Sequence, residues 1–237
     1  MDETFTGQKG RAGLAEILKI TAPVAVAYVP LGAALGVYLV SSGIAWYWAP
    51  VSAVIIYAGS AEFLAVSFIL SGLPLYVVAW TTFVVNFRHI FYGLSFPLHR
   101  FTNLPQKLYG IWSLTDEVYG LTCGGGKGKN LDSRGLTILQ ATCQLSWVSG
   151  ALFGSLAGLF LPPEFKGFDF ALTAIFILLS VDAVRESRDF RLVAYAGVAG
   201  LSGLIVEHYL ISESFLITGL LIYLALISVD FFRGRDR

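Results

Sequence analysis

Residues 17–40 read ILKITAPVAVAYVPLGAALGVYLV, a run of 24 positions whose one charge, Lys19, lies near its start. At 1.5 Å rise per residue such a helix spans about 36 Å, more than the roughly 30 Å of a bilayer's hydrocarbon core. Working outward, further apolar runs follow at 46–71, 75–97, 108–122, 136–160, 169–184, 190–210 and 214–232. The 237-residue chain is 56% hydrophobic and 14% charged, with mean hydropathy +0.70. A soluble domain carries about a quarter charged residues, so this composition cannot cover a water-facing surface. The fold expected is all-α: a polytopic helical membrane protein of about eight transmembrane helices. It forms one integral membrane domain over 1–237, with residues 1–16 as a cytoplasmic N-terminal segment.

Positive charge sets the orientation, because Lys and Arg in short loops stay cytoplasmic. With eight spans and both termini inside, eleven positive residues fall inside, among them Lys127, Lys129, Arg134, Arg185, Arg188 and Arg191. Three fall outside: Arg100, Lys107 and Lys166. On this reading 124–134 and 185–191 face the cytoplasm and 98–107 faces outward. The first run continues to Val40, longer than the apolar core of a cleavable signal, and is expected to stay in the mature chain. The weakest span is 108–122, about 15 residues long with Asp116 and Glu117 inside it, and a re-entrant segment is its alternative.

Sixteen Lys and Arg balance sixteen Asp and Glu, which argues against a surface for nucleic acid. Two cysteines, Cys123 and Cys143, make neither a disulfide framework nor a metal site and read as structural thiols. Walker A, HExxH, GxSxG and CxxC patterns are absent. No cofactor, metal or catalytic residue is therefore expected, and transport is expected to be secondary. An intramembrane enzyme using Asp116 and Glu117 as acid and base is the competing class, and an assembly subunit a third.

Charged residues in mid-membrane each need a partner, a cavity or a function. Glu62 lies in the second run, Asn86, Arg88 and His89 in the third, Asp116 and Glu117 in the fourth. Measured along straight spans, all six fall within about 8 Å of the midplane, which points to one central polar site. The stretch Tyr57-Ala58-Gly59-Ser60-Ala61-Glu62 is either a continuous helix with a small packing face or a break presenting half-helix N–H groups to a substrate carboxylate. Arg88 is either the ion-pair partner of Glu62 or Asp116, or the fork that holds a carboxylate. Asp116 and Glu117, adjacent like charges that cannot both ionise cheaply, read as proton-coupling groups or partners of an ammonium. The substrate-binding candidates are thus Gly59, Ser60, Glu62, Asn86, Arg88 and His89.

Two small-residue stripes complete the reading: Ala25, Tyr28, Gly32 and Gly36 in the first run, and Gln140, Gln144, Trp147, Ala151, Gly154 and Gly158 in the fifth. Gly32-Ala33-Ala34-Leu35-Gly36 recurs 118 residues later as Gly150-Ala151-Leu152-Phe153-Gly154, although small-xxx-small is common for packing alone.

Through Tyr57-Ala58-Gly59-Ser60-Ala61-Glu62-Phe63, Asn86-Phe87-Arg88-His89 and Thr115-Asp116-Glu117, the chain resembles the AzlC-like family, the large subunit of branched-chain amino acid exporters. The resemblance runs from Pro30-Leu31-Gly32 to the terminal span. It implies a cytoplasmic-membrane permease exporting small aliphatic amino acids with a small AzlD-like membrane partner. Glu62 departs from the family's usual Gln.

Overall fold

The computed structural model describes residues 12–123, 125–162, 190–209 and 215–235, with isolated positions between 170 and 181. The span expected at 169–184, the loop at 185–189 and most of the N-terminal segment lie outside the described residues. All described elements are helical: α1 Leu14–Ser41, α2 Trp48–Ile55, α3 Gly59–Ser71, α4 Leu75–Asn86, α5 Arg88–Ser95, a 3-10 turn Leu98–Arg100, α6 Leu104–Trp112, α7 Asp116–Thr122, α8 Ser133–Gly158, α9 Phe190–Tyr209 and α10 Phe215–Arg235. Of these, α1 and α9 are long and apolar enough to cross a membrane.

The chain divides into two compact units. The first, residues 1–72 and 86–171, is built around α1 and α8. The two glycine stretches noted in the sequence face each other here. A Cβ on Gly32 would stand 2.6 Å from the Trp147 carbonyl oxygen, one on Gly36 would meet Ala151 and Ser155, and one on Gly154 would strike the Ala33 carbonyl. Gly158 packs on Val37 and Val40. Residue numbers rise together along both helices, so the pair is parallel. Only glycine lets the backbones come this close, which is how helices associate where lipid offers no hydrophobic driving force.

Neither 46–71 nor 108–122 forms the single continuous helix that the sequence reading expected of a span. Each is a helical hairpin that turns back near the middle of α8. In the first, α2 begins just beyond the C-terminal end of α1 and descends until the Val54 carbonyl accepts a bond from Gln144 Nε2 at 3.4 Å. The chain breaks at 56–58, with Tyr57 at φ 47°. Helix α3 then climbs back, so that Ser67 meets Tyr38, in the penultimate turn of α1, at 3.2 Å. Of the two readings left open for this stretch, the broken helix is the one found, and the break reverses the chain.

The second hairpin opens at the opposite end. The Thr102 N–H donates to Ser133 Oγ at 3.1 Å and Ser133 Oγ donates to Gln106 Oε1 at 2.6 Å, fixing the start of α6 beside the first residue of α8. Gly110 reaches the level of Gln140, whose Nε2 donates to its carbonyl at 2.9 Å. After the turn at 113–115, α7 descends until the Leu121 carbonyl accepts the Gly128 N–H at 2.8 Å. Segments 98–107 and 124–134, expected on opposite faces, are therefore bonded to each other at one end of α8. The physical reason is length: 15 residues of helix rise about 22 Å, short of the hydrocarbon core. Side-chain caps fix the starts of these helices, Asn103 on Gln106 N–H, Thr115 on Val118 N–H and Asp132 on Gly135 N–H.

The second unit, residues 73–85 and 172–237, holds α4 and the pair α9 and α10. Gly203 lets α9 close on the Phe215 carbonyl, where a Cβ would stand 2.9 Å away.

Candidate functional site

The tips of the two hairpins meet near mid-height on α8, where the Tyr57 and Trp112 rings lie 6.2 Å apart. Gln144 of α8 serves both, donating to Val54 of the first hairpin and accepting from Tyr109 Oη of the second at 2.8 Å. Gly59, which opens α3, lies flat on the Trp147 indole: a Cβ there would stand 3.0 Å from Cη2. A side chain at 59 would push the tip off α8, and this close approach is the reason for glycine in the stretch.

Glu62 is 2% exposed and carries no cation. Oε1 accepts from Ser52 Oγ at 2.9 Å, and Oε2 accepts from the Ala58 N–H at 3.2 Å and Trp147 Nε1 at 3.0 Å. The Ala58 bond caps α3 from within, as a capping-box acid does. Both oxygens thus accept from protein donors, one on Oε1 and two on Oε2. Arg88 is not its partner.

Arg88 instead pairs with Asp116 at 2.9 Å, with side chains 34% and 19% exposed. The reason is the hairpin geometry: α5 runs beside α7, with Tyr92 stacked on Tyr119 at 4.5 Å and Ser95 bonded to Tyr119 Oη at 2.7 Å. Depths measured along straight spans put Glu62 and Arg88 at similar heights but not on neighbouring elements. Arg88 Nε and Asp116 Oδ1 are each buried without a hydrogen bond, and the Tyr92 phenol lies near the Asp116 carboxylate. An ion pair with unused capacity on both partners is rare inside a protein.

Glu117 lies on the far side of the same turn. Tyr28 Oη of α1 bonds both Glu117 Oε2 at 2.5 Å and Thr115 Oγ1 at 2.9 Å. The Tyr28 ring stands edge-on to Trp147 at 5.6 Å. A continuous path therefore runs from Glu62 through Trp147 and Tyr28 to Glu117 and the Asp116–Arg88 pair.

Among the other candidates, Ser60 is buried at the start of α3. The His89 ring nitrogen Nδ1 lies 3.1 Å from the Asn86 carbonyl, and its ring meets Tyr92 edge-on at 5.5 Å. Nothing joins His89 to Glu62 or Glu117. Sequence reasoning missed the linking residues Tyr28, Ser52, Thr115 and Trp147. Tyr28 and Trp147 were nonetheless visible as the large aromatics in two stripes of small residues, the positions where a bulky polar-tipped ring has room.

Comparison with known proteins places the chain among membrane proteins. A family model described as AzlC protein matches residues 23–161. The chain is 29% identical over 214 residues to the branched-chain amino acid transport protein AzlC of Bacillus subtilis (strain 168), covering 88% of this chain and 82% of that one. An uncharacterized membrane protein of Haemophilus influenzae is 30% identical over 159 residues, 66% of this chain and 65% of its own. Inner membrane protein YgaZ of Escherichia coli (strain K12) is 24% identical, with 82% of each chain covered. No solved structure matches. The matched region contains the parallel α1–α8 pair and both hairpins, and the chain belongs to the AzlC family as a membrane transport protein.

Proposed function

We propose that this protein is a secondary transporter of small aliphatic amino acids in the cytoplasmic membrane, and that the zwitterion binds at the Arg88–Asp116 pair. The observation that carries the reading is that ion pair, bonded at 2.9 Å yet with Arg88 Nε and Asp116 Oδ1 unused. A zwitterion entering between the two exchanges one ion pair for two. Its carboxylate takes the guanidinium fork and its ammonium takes the aspartate, so neither partly buried charge is left alone while the site opens. A singly charged solute would strand one of them. Glu117 anchors the turn that carries Asp116 through Tyr28, and the hairpin tips close the site from opposite ends.

Branched-chain side chains as the substrate class follow from the name of the Bacillus subtilis relative. Export as the direction, and a small AzlD-like membrane partner, follow from the family resemblance. The topology that fits has six crossings, at 17–40, 75–97, 136–160, 169–184, 190–210 and 214–232, with both termini cytoplasmic and one hairpin entering from each side. It moves Arg100 and Lys107 inward, turning the asymmetry of eleven to three into thirteen to one.

Counterflow of labelled leucine, valine and methionine in proteoliposomes, with and without a co-expressed small membrane subunit, tests the function. Saturable exchange of at least one is the expected result. No exchange under either condition would remove the reading.

A further inference from the structure

Glu62 is the buried acid for which zwitterion binding has no use. Helices α1, α2 and α8 pack around it, and none supplies a cation. The charged residues of α1 and α8, Glu16, Lys19 and Arg134, lie near the starts of those helices, and α2 has none. Of the titratable groups nearer its height, Tyr28 bonds Glu117, Tyr38 bonds Ser67, Cys143 is a buried free thiol, and Tyr57, at the hairpin tip, packs on Trp112 with its hydroxyl buried and without a hydrogen bond. Asp116 and Glu117, the acids the sequence singled out for coupling, already face a guanidinium and a phenol.

The geometry around Glu62 serves both of its protonation states. Ser52 has one hydroxyl hydrogen and two acceptors in reach, Glu62 Oε1 at 2.9 Å and the Ala49 carbonyl at 3.0 Å. When Glu62 is ionised, the Ser52 hydrogen points at Oε1. When Glu62 is protonated, Oε1–H donates to Ser52 Oγ and the Ser52 hydrogen turns to Ala49. Oε2 keeps the Ala58 and Trp147 donors in both cases, and no heavy atom moves. A structural acid needs only one such arrangement, whereas this one is satisfied with or without its proton.

We infer that Glu62 is the proton-exchange group of this transporter, neutral while the first hairpin is sealed against α8 and ionised when its tip opens to water. The O–H bond on Oε1 forms by taking a proton from hydronium on one side of the membrane. It breaks by returning that proton to water on the other. Because Ser52, Ala58 and Glu62 belong to the hairpin and Trp147 to α8, the charge on Glu62 bears on the contact that opens and closes. A carboxylate that has hydrogen-bond donors but no cation beside it is still costly in the sealed site, which links proton release to opening. The inference rests on the transport reading above.

Its test uses the full chain and Glu62→Gln, which the site can hold: Oε1 of the amide accepts from Ala58 and Trp147 while Nε2 donates to Ser52. In proteoliposomes the wild type should accumulate labelled leucine under a pH gradient and exchange it without one. Glu62→Gln should lose the accumulation while exchange persists. Independently of transport, wild-type tryptophan emission in nanodiscs should change with pH through Trp147, and the change should vanish in both Glu62→Gln and Trp147→Phe. Accumulation retained in Glu62→Gln, or an emission change that survives it, overturns the inference. Absence of any exchange in the wild type overturns the transport reading instead, and the emission experiment still decides the proton site.

Discussion

Arg88 and Asp116 form an ion pair whose side chains are partly exposed, so its rupture costs less than that of a fully buried pair. Arg88→Ala should lower stability by about 1–3 kcal/mol by leaving Asp116 alone. Adding Asp116→Ala should recover part of that loss, giving a coupling of about 1 kcal/mol or more in a double-mutant cycle. The same cycle for Arg88 and Glu62 should be additive within about 0.5 kcal/mol. Thermal unfolding in detergent measures both, and coupling in the second cycle would contradict the observed partners. Trp147→Phe keeps the ring but removes a donor from Glu62, and should cost about 1–3 kcal/mol in the same assay. At this scale the sequence showed which polar residues lie in the apolar runs but not who holds whom. Arg88 had two acids at comparable calculated depth, and that calculation assumed spans running straight through. Glu62 found its donors instead through Ser52, ten residues back across a chain reversal that no spacing rule marks.

Between elements, the close-packing faces of α1 and α8 were legible as stripes of small residues at helical spacing, but that the two stripes meet each other was not. Gly154→Ala places a methyl against the Ala33 carbonyl and should destabilise by about 1–3 kcal/mol as the helices are forced apart. Gly197→Ala, on α9, meets nothing within 4 Å and should be neutral or gain up to about 1 kcal/mol from helix propensity. Equal unfolding temperatures for the two variants would show that the close approach is not made. The hairpins were much less legible. An apolar run that turns back inside the bilayer has the same hydropathy as one that crosses, and only its interruptions differ. Gly59-Ser60 carried that mark weakly, since both residues are common where membrane helices pack. Ser113, Leu114 and Thr115 carried it as a helix cap that reads as ordinary polar sequence.

For the molecule as a whole, the transport reading gives the two hairpins, which start at opposite ends of α8 and touch at mid-height, the role of a barrier thin at its tips. The six-crossing topology is checked by single cysteines in a background lacking Cys123 and Cys143. Residues 107 and 129 should label from the cytoplasmic side, and 45 and 71 from the other. Labelling of 107 and 129 from opposite sides would restore a crossing fourth segment. The positive-charge rule puts both termini on the cytoplasmic side under either count, since turning two crossings into two hairpins leaves the parity unchanged. The central claim is that a zwitterion exchanges partners with the Arg88–Asp116 pair, and competition against leucine counterflow tests it most directly. Unlabelled leucine should compete, while 4-methylpentanoate, which lacks the amine, and isopentylamine, which lacks the carboxylate, should not. Competition by either singly charged analogue as strong as that by leucine would contradict the account.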